Sequence, residues 1–324
     1  GLDGYLEVYG SHGLLSVADN DGFEALFPTV YENYQTIEKA QGTINFSWDE
    51  VSKQLTLRSD VMRAELDAGV ASILFSIEQP IPAKDNPPSV SLLIGGRDLD
   101  AKKHKKYLPY RMPGQLRKWL EESILDGHVD ELGLLIRTQP PRLDPLAKTT
   151  QLMVKMSAAD IDYAPDWTGI RDAKTLLLVD DIYTEAEVYS GTVGDISLNG
   201  ATVVYNRIGP SNAPAITVAA DVKGDLSAAM TLLTESPLQG RLGALTGWDY
   251  SGKMTSQLDL LIPLPTLTAA QPAAAGTALE AQYNVAAMVE DGSLSIPGGP
   301  ITVEGINGPL NFSLDKGLYG DKVS

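Results

Sequence analysis

Hydrophobic residues recur at every second position along most of this chain, with polar residues between them. Met62, Ala64, Leu66 and Ala68 alternate with Arg63, Glu65 and Asp67; Ile216, Val218, Ala220 and Val222 alternate with Thr217, Ala219 and Asp221. Successive side chains of a strand point to opposite faces, so this period marks strands with one apolar and one wet face. The rhythm returns in roughly twenty short runs. Turn-forming pairs such as Ser59-Asp60, Ser190-Gly191 and Asn199-Gly200 punctuate the runs, and connections that short join antiparallel neighbours into a meander.

One stretch breaks the rhythm. Within residues 107–131, Leu116, Trp119, Leu120 and Ile124 fall at spacings of three and four, opposite Arg117, Lys118, Glu121 and Glu122. Pro113 suits a first helical turn and Gly127 a left-handed position past the end, so the spacing predicts one amphipathic helix from Pro113 to Asp126. A second, short helix is expected from Asp225, a suitable N-cap, to about Leu233, ending before Pro237. Just ahead of the long helix lie Lys102, Lys103, His104, Lys105 and Lys106, the one basic cluster of the chain. A charge run reads first as a solvated loop; the sharper reading is a contact for anionic headgroups or for an acidic patch on a partner.

Two helices are too few to cover so many strands. The apolar faces can be buried against a second sheet, in a sandwich or barrel, or face inward in a trough that is packed shut or filled by an apolar ligand. Composition shifts this balance slightly: hydrophobic residues make up 43% of the chain but aromatics only 7%, which leans toward a lined cavity. Residues 263–278 are rich in Pro, Ala and Thr and read as a loop. The chain then divides into a first β section (1–100), the basic loop and amphipathic helix (101–130), a second β section (131–262), the loop (263–278) and the start of a further β section (279–324).

A net charge of −17 argues against a nucleic-acid binder, which needs clustered Lys and Arg. The lack of cysteine excludes disulfides and thiolate chemistry. No apolar run reaches the roughly 18 residues of a membrane-spanning helix. The chain begins at Gly1 without a signal-like segment and stops straight after a strand pattern, so it reads as a piece of something longer. His12, His104 and His128 lack metal-ligand spacing and read as surface or turn residues. Asp180 and Asp181 are adjacent, so on a strand they would point to opposite faces. With no nucleophile elbow or phosphate loop either, the expectation is a non-enzymatic protein with no catalytic residue, no metal and no cofactor.

Tyr107-Leu108-Pro109, Trp119-Leu120, Asp126-Gly127 and the Tyr163 to Trp167 element, followed by strands from Leu176, resemble the central region of the YhdP-type proteins. These belong to the AsmA-like group of Gram-negative envelope proteins, together with TamB. The resemblance continues more weakly through Leu226 to Pro237 and Ile306 to Gly317. It implies a mainly β fold: a long, twisted antiparallel sheet curled into a hydrophobic groove, with one amphipathic and one short helix. It also implies a periplasmic section of an inner-membrane-anchored protein that carries phospholipid between the inner and outer membranes, as bridge-like lipid transfer proteins do. Its partners would be phospholipid acyl chains, the inner membrane through an anchor beyond this stretch, and an outer-membrane or other envelope protein. The rival expectations are an envelope scaffold or assembly factor without lipid conduction, and an acidic hydrolase, for which no carboxylate pair across a cleft can be named.

On the groove reading the lining is expected from Ile73, Phe75 and Ile77, from Leu132, Leu134 and Ile136, and from Leu152 and Val154. Ile182 and Val188, Ile216 and Val218, Leu258, Leu260 and Ile262, and Tyr283 and Val285 continue it. Leu116, Trp119, Leu120 and Ile124 would plug one opening, unless the helix merely fills the core, with Lys102, Lys103, Lys105 and Lys106 near headgroup level.

Overall fold

The computed structural model describes residues 3–28, 30–82, 87–138, 148–208, 213–237, 239–242, 246–264, 279–300, 302–313 and 315–320. The chain is mainly β, with 18 strands and a few short helices among these residues. Contacts divide it into two units, residues 1–156 with 177–181, and residues 157–176 with 182–324. Residues 265–278 of the expected Pro/Ala-rich loop lie outside the described residues.

The first unit begins with β1 (Gly4–Tyr9), β2 (His12–Asp19), β3 (Phe23–Ala25) and β4 (Gln35–Asp49). Next come β5 (Gln54–Ser59), β6 (Met62–Leu66), β7 (Gly69–Pro80) and β8 (Ser89–Asp100). A 3-10 turn at Ala101–Lys103, α1 (His104–Tyr107) and α2 (Gly114–Ser123) lead into β9 (Ile124–Thr138). The long β4 pairs with β5 through Ile44–Asp49 and with β6 through Ile37–Gln41, and both short strands pair with β7 on their other side. Thus β5 and β6 act as one strand interrupted at Asp60 and Val61. β10 (Lys148–Ile161) and β11 (Ile170–Asp180) contribute residues to both units.

The second unit continues with β12 (Tyr183–Val193), β13 (Ile196–Ile208) and β14 (Ala213–Asp225), then α3 (Leu226–Thr234) and α4 (Gln239–Leu242). β15 (Asp249–Pro263), β16 (Gln282–Ser295), β17 (Thr302–Ser313) and β18 (Gly317–Gly320) complete it. From β12 to β18 each strand pairs antiparallel with the next in sequence.

Three local expectations are corrected. Neither Asn199-Gly200 nor Ser190-Gly191 is a hairpin turn: the first lies inside β13, where the register shifts between Leu198 and Gly200, the second lies inside β12, and the reversal falls between Val193 and Ile196. The amphipathic helix stops at Ser123, and Ile124 opens β9, so Gly127, at φ 141°, lies within a strand. The three-and-four spacing runs on by coincidence into a segment that pairs with β8 from His128 onward. Ile182 sits in the turn between β11 and β12, 67% exposed. The chain reverses at Asp181, whose φ of 53° is a left-handed conformation that Asp tolerates.

Register converts the alternation into continuous apolar rows. In the first unit Val8, Gly13, Phe46, Leu57, Ile77 and Val90 are successive cross-strand partners. Ile73 pairs with Ile94 and then Leu134, and Phe75 with Leu92 and then Ile136. The opposite face carries such rows as Arg58, Ser76, Ser91 and Arg137, with Leu74, Leu93 and Leu135 as its apolar exception. The main contacts of each strand are with its ladder neighbours rather than with a second sheet. Most side chains of the apolar face are accordingly half-buried. Full burial of such a side chain is worth roughly 1.5–3 kcal/mol, and part of that is unrealised here.

Candidate functional site

The second unit presents the most extended apolar surface. Val188, Ala201, Ala220, Leu258, Val285 and Phe312 form one row across six strands. Beside it runs a row of Ala186, Val203, Val218, Leu260 and Tyr283, and beside that Tyr205, Ile216 and Ile262. All eight residues expected here as lining, from Val188 to Val285, therefore share one face; Ile182 does not. Along β15 the exposure alternates without a break from Asp249 to Asp259, apolar or small residues inward and Lys253, Thr255, Gln257 and Asp259 outward.

The same face has a sealed end. Ile196, Met254 and Val289 are buried beneath α3, with Val222, Leu226, Ala228, Ala229, Leu232 and Leu310 packed around them. Val289 is 1% exposed. α3 begins directly where β14 ends and packs chiefly against β15, the strand that follows it. Asp225 occupies the N-cap position but makes no side-chain cap; its carboxylate pairs with Lys253 Nζ at 2.5 Å. Between the sealed and open rows lies Ser256, partner of Val222 and Ala287 and 5% exposed, whose hydroxyl has no hydrogen-bond partner among the described residues. An unsatisfied buried hydroxyl costs about 1–3 kcal/mol. Sequence reasoning found α3 but not this covering role. The usable signal was that a nine-residue helix carries Leu226, Ala228, Ala229, Met230, Leu232 and Leu233, more apolar residues than a surface helix needs.

In the first unit, the six residues expected from β7 and β9 share one face, bridged by Val90, Leu92 and Ile94 of β8. Leu152 and Val154 are half-buried on β10, and Met156, two positions on, is buried.

The expected plug does not form as drawn. Leu116 and Trp119 are 46% and 44% exposed, Leu120 is half-buried, and Ile124 belongs to β9. α2 contacts α1 and β9 instead of lying over the apolar rows. His104 ties it down: Nδ1 lies 2.6 Å from the Ala101 carbonyl oxygen and Nε2 2.9 Å from that of Leu120. This is a linking role the sequence did not suggest.

The lysines expected at headgroup level are mostly engaged within the chain. Lys102 Nζ pairs with Asp126 at 2.7 Å, Lys106 Nζ with Asp67 at 3.4 Å, and Lys103 Nζ donates to the Asp67 carbonyl. Lys105 is exposed. Asp67 also accepts from the Tyr107 hydroxyl. That hydrogen bond first, then Lys106 and Lys103, holds its carboxyl below the ordinary carboxylate range. Burial, reinforced by Asp67, pushes the Tyr107 hydroxyl above the usual phenol range. A carboxyl whose folded value is depressed stabilises fully above its unfolded value of about 3.9 and loses that contribution as pH falls through the folded value. The protection of the α1 amides, relative to their intrinsic exchange rate, is therefore expected to fall below about pH 4, and Asp67→Asn to remove that pH dependence. An unchanged profile in Asp67→Asn would assign the acid sensitivity elsewhere.

Among the described residues no group of three or more His, Asp or Glu side chains is placed to hold a metal ion. No helix there is long and apolar enough to cross a membrane.

A family model described as YhdP protein matches residues 1–323. No curated protein and no solved structure matches the chain.

Proposed function

We propose, starting from the fact that this chain belongs to the YhdP family, that it carries phospholipid between two membranes without chemical catalysis. Each unit supplies aliphatic rows that shield acyl chains, while headgroups remain at the wet margin. The single observation that supports this most is the register in the second unit, where three adjacent apolar rows share one face and most of their side chains stay half-buried, the main contacts of the strands being with their ladder neighbours. A structural core would be covered; a surface that must take up and release a hydrocarbon has to be left partly open. Acyl chains on it would recover part of the roughly 25 cal/mol per Å² that the bare face forgoes. On this reading the working compartment is the periplasm. Anchorage to the inner membrane would come from outside these residues, and delivery would involve an outer-membrane or other envelope partner.

The experiment is direct. The chain purified under native conditions should carry phospholipid detectable by mass spectrometry and take up a fluorescent phospholipid from vesicles. Absence of both, in folded protein, would leave the scaffold reading in its place.

A further inference from the structure

We propose that α3 is a displaceable lid, and that beneath it lies a cryptic site for the methyl end of an acyl chain. This rests on the lipid-carrying reading above and adds a place where the chain end is held. Three observations carry it. The apolar rows do not stop where α3 begins: Val222, Met254, Val289 and Leu310 continue the same face under the helix. The closed state is imperfectly satisfied, because the Ser256 hydroxyl, in the row of Val222 and Leu310 that packs against the covered cluster, is buried with no partner among the described residues, and displacing the helix would open that row to water. The helix is held lightly, since its N-terminus has no side-chain cap and none of its own residues is fully buried. A permanent core would favour alanine at position 256 and a capped helix. The occupant that fits is a hydrocarbon terminus, because Ile196, Met254 and Val289 offer no polar group to anything else.

The chain has no cysteine, so one cysteine placed on α3 and one facing it on β15, the strand that α3 contacts most, can fasten the helix reversibly to the sheet. Isoleucine and methionine methyl groups are observed by NMR with a phospholipid bearing a paramagnetic doxyl group near the end of one acyl chain. With the pair reduced, and in the parent protein, the Met254 methyl should broaden at least threefold more than that of Met288, which faces the opposite side and is 47% exposed. Oxidation should abolish the Met254 effect and leave broadening at Ile216 and Ile262. Met254 broadening that survives oxidation would overturn the lid. So would a silent Met254 beside broadened Ile216 and Ile262. If no methyl broadens, the lipid-carrying reading fails and the lid with it. Ser256→Ala gives an independent measure: removing the unpartnered hydroxyl should raise the melting temperature and cut Met254 broadening at least twofold. A lowered melting temperature would mean that the hydroxyl is satisfied with α3 closed, and would overturn the proposal.

Discussion

Replacing Val285 by aspartate should reduce phospholipid uptake by at least about tenfold while leaving the fold largely intact. Val285 is the fifth residue of the six-strand row, between Leu258 and Phe312, and is half-buried. Water reaches the position in the free protein, so a carboxylate there is solvated, with a stability cost of about 1 kcal/mol. An acyl chain laid over it would strip that water away and leave an unpaired charge against hydrocarbon, far costlier than the roughly 1.4 kcal/mol that equals tenfold in affinity. Ala286→Asp is the control, since its side chain is exposed on the other face, opposite Asn311. Uptake from fluorescent vesicles, normalised to folded protein by circular dichroism, reads the contrast. Equal uptake by the two variants would show that the aliphatic face is not where lipid binds.

Four residues along the same strand, the same substitution should act on stability. Val289 faces the same way as Val285 but lies under α3 and is 1% exposed. An aspartate there has neither water nor a cation. The expected loss is roughly 3 kcal/mol or more, a large share of the 5–15 kcal/mol that typically holds a domain folded. Met288→Asp, exposed on the opposite face, should stay within about 0.5 kcal/mol of the parent. Chemical denaturation of the three proteins checks this. A tolerated Val289→Asp would mean that α3 does not seal the rows beneath it. The pair of experiments separates two parts of one apolar face: one open to lipid directly, and one that α3 covers in the resting fold.

Most of the apolar face was legible from alternation. A period of two places Ile216 with Val218, and Leu258 with Leu260 and Ile262, and antiparallel pairing of consecutive strands then lines them up in rows. Three features escaped because they depend on contacts between segments distant in sequence. The end of α2 was misread since Ile124 to Gly127 happen to continue a helical spacing while pairing decides for strand. Ile182 was given a lining place from its neighbours Ala186 and Val188, although Asp181 turns the chain just before it. The lysines were read as free charge, yet Asp126 and Asp67 engage three of them, and Asp67 lies on a different β section. The covering role went to the wrong helix for a related reason: amphipathicity advertises a helix that lies half in water, whereas α3 is apolar along most of its length and sets Leu226, Ala228, Ala229 and Leu232 against the core.

The pairing order has a further consequence, for how the chain comes to be folded. From β12 to β18 each strand finds its partner immediately upstream, and the turn from β12 to β13 is only two residues long. Apart from the longer connections after β14 and β15, these contacts need little loop closure, so the second unit should assemble largely by zippering, strand after strand, in the order of synthesis. Its cooperativity would resemble that of a repeat array more than that of a sandwich, with damage confined to neighbouring strands. A chain built this way can be lengthened by adding strands without redesigning what is already folded.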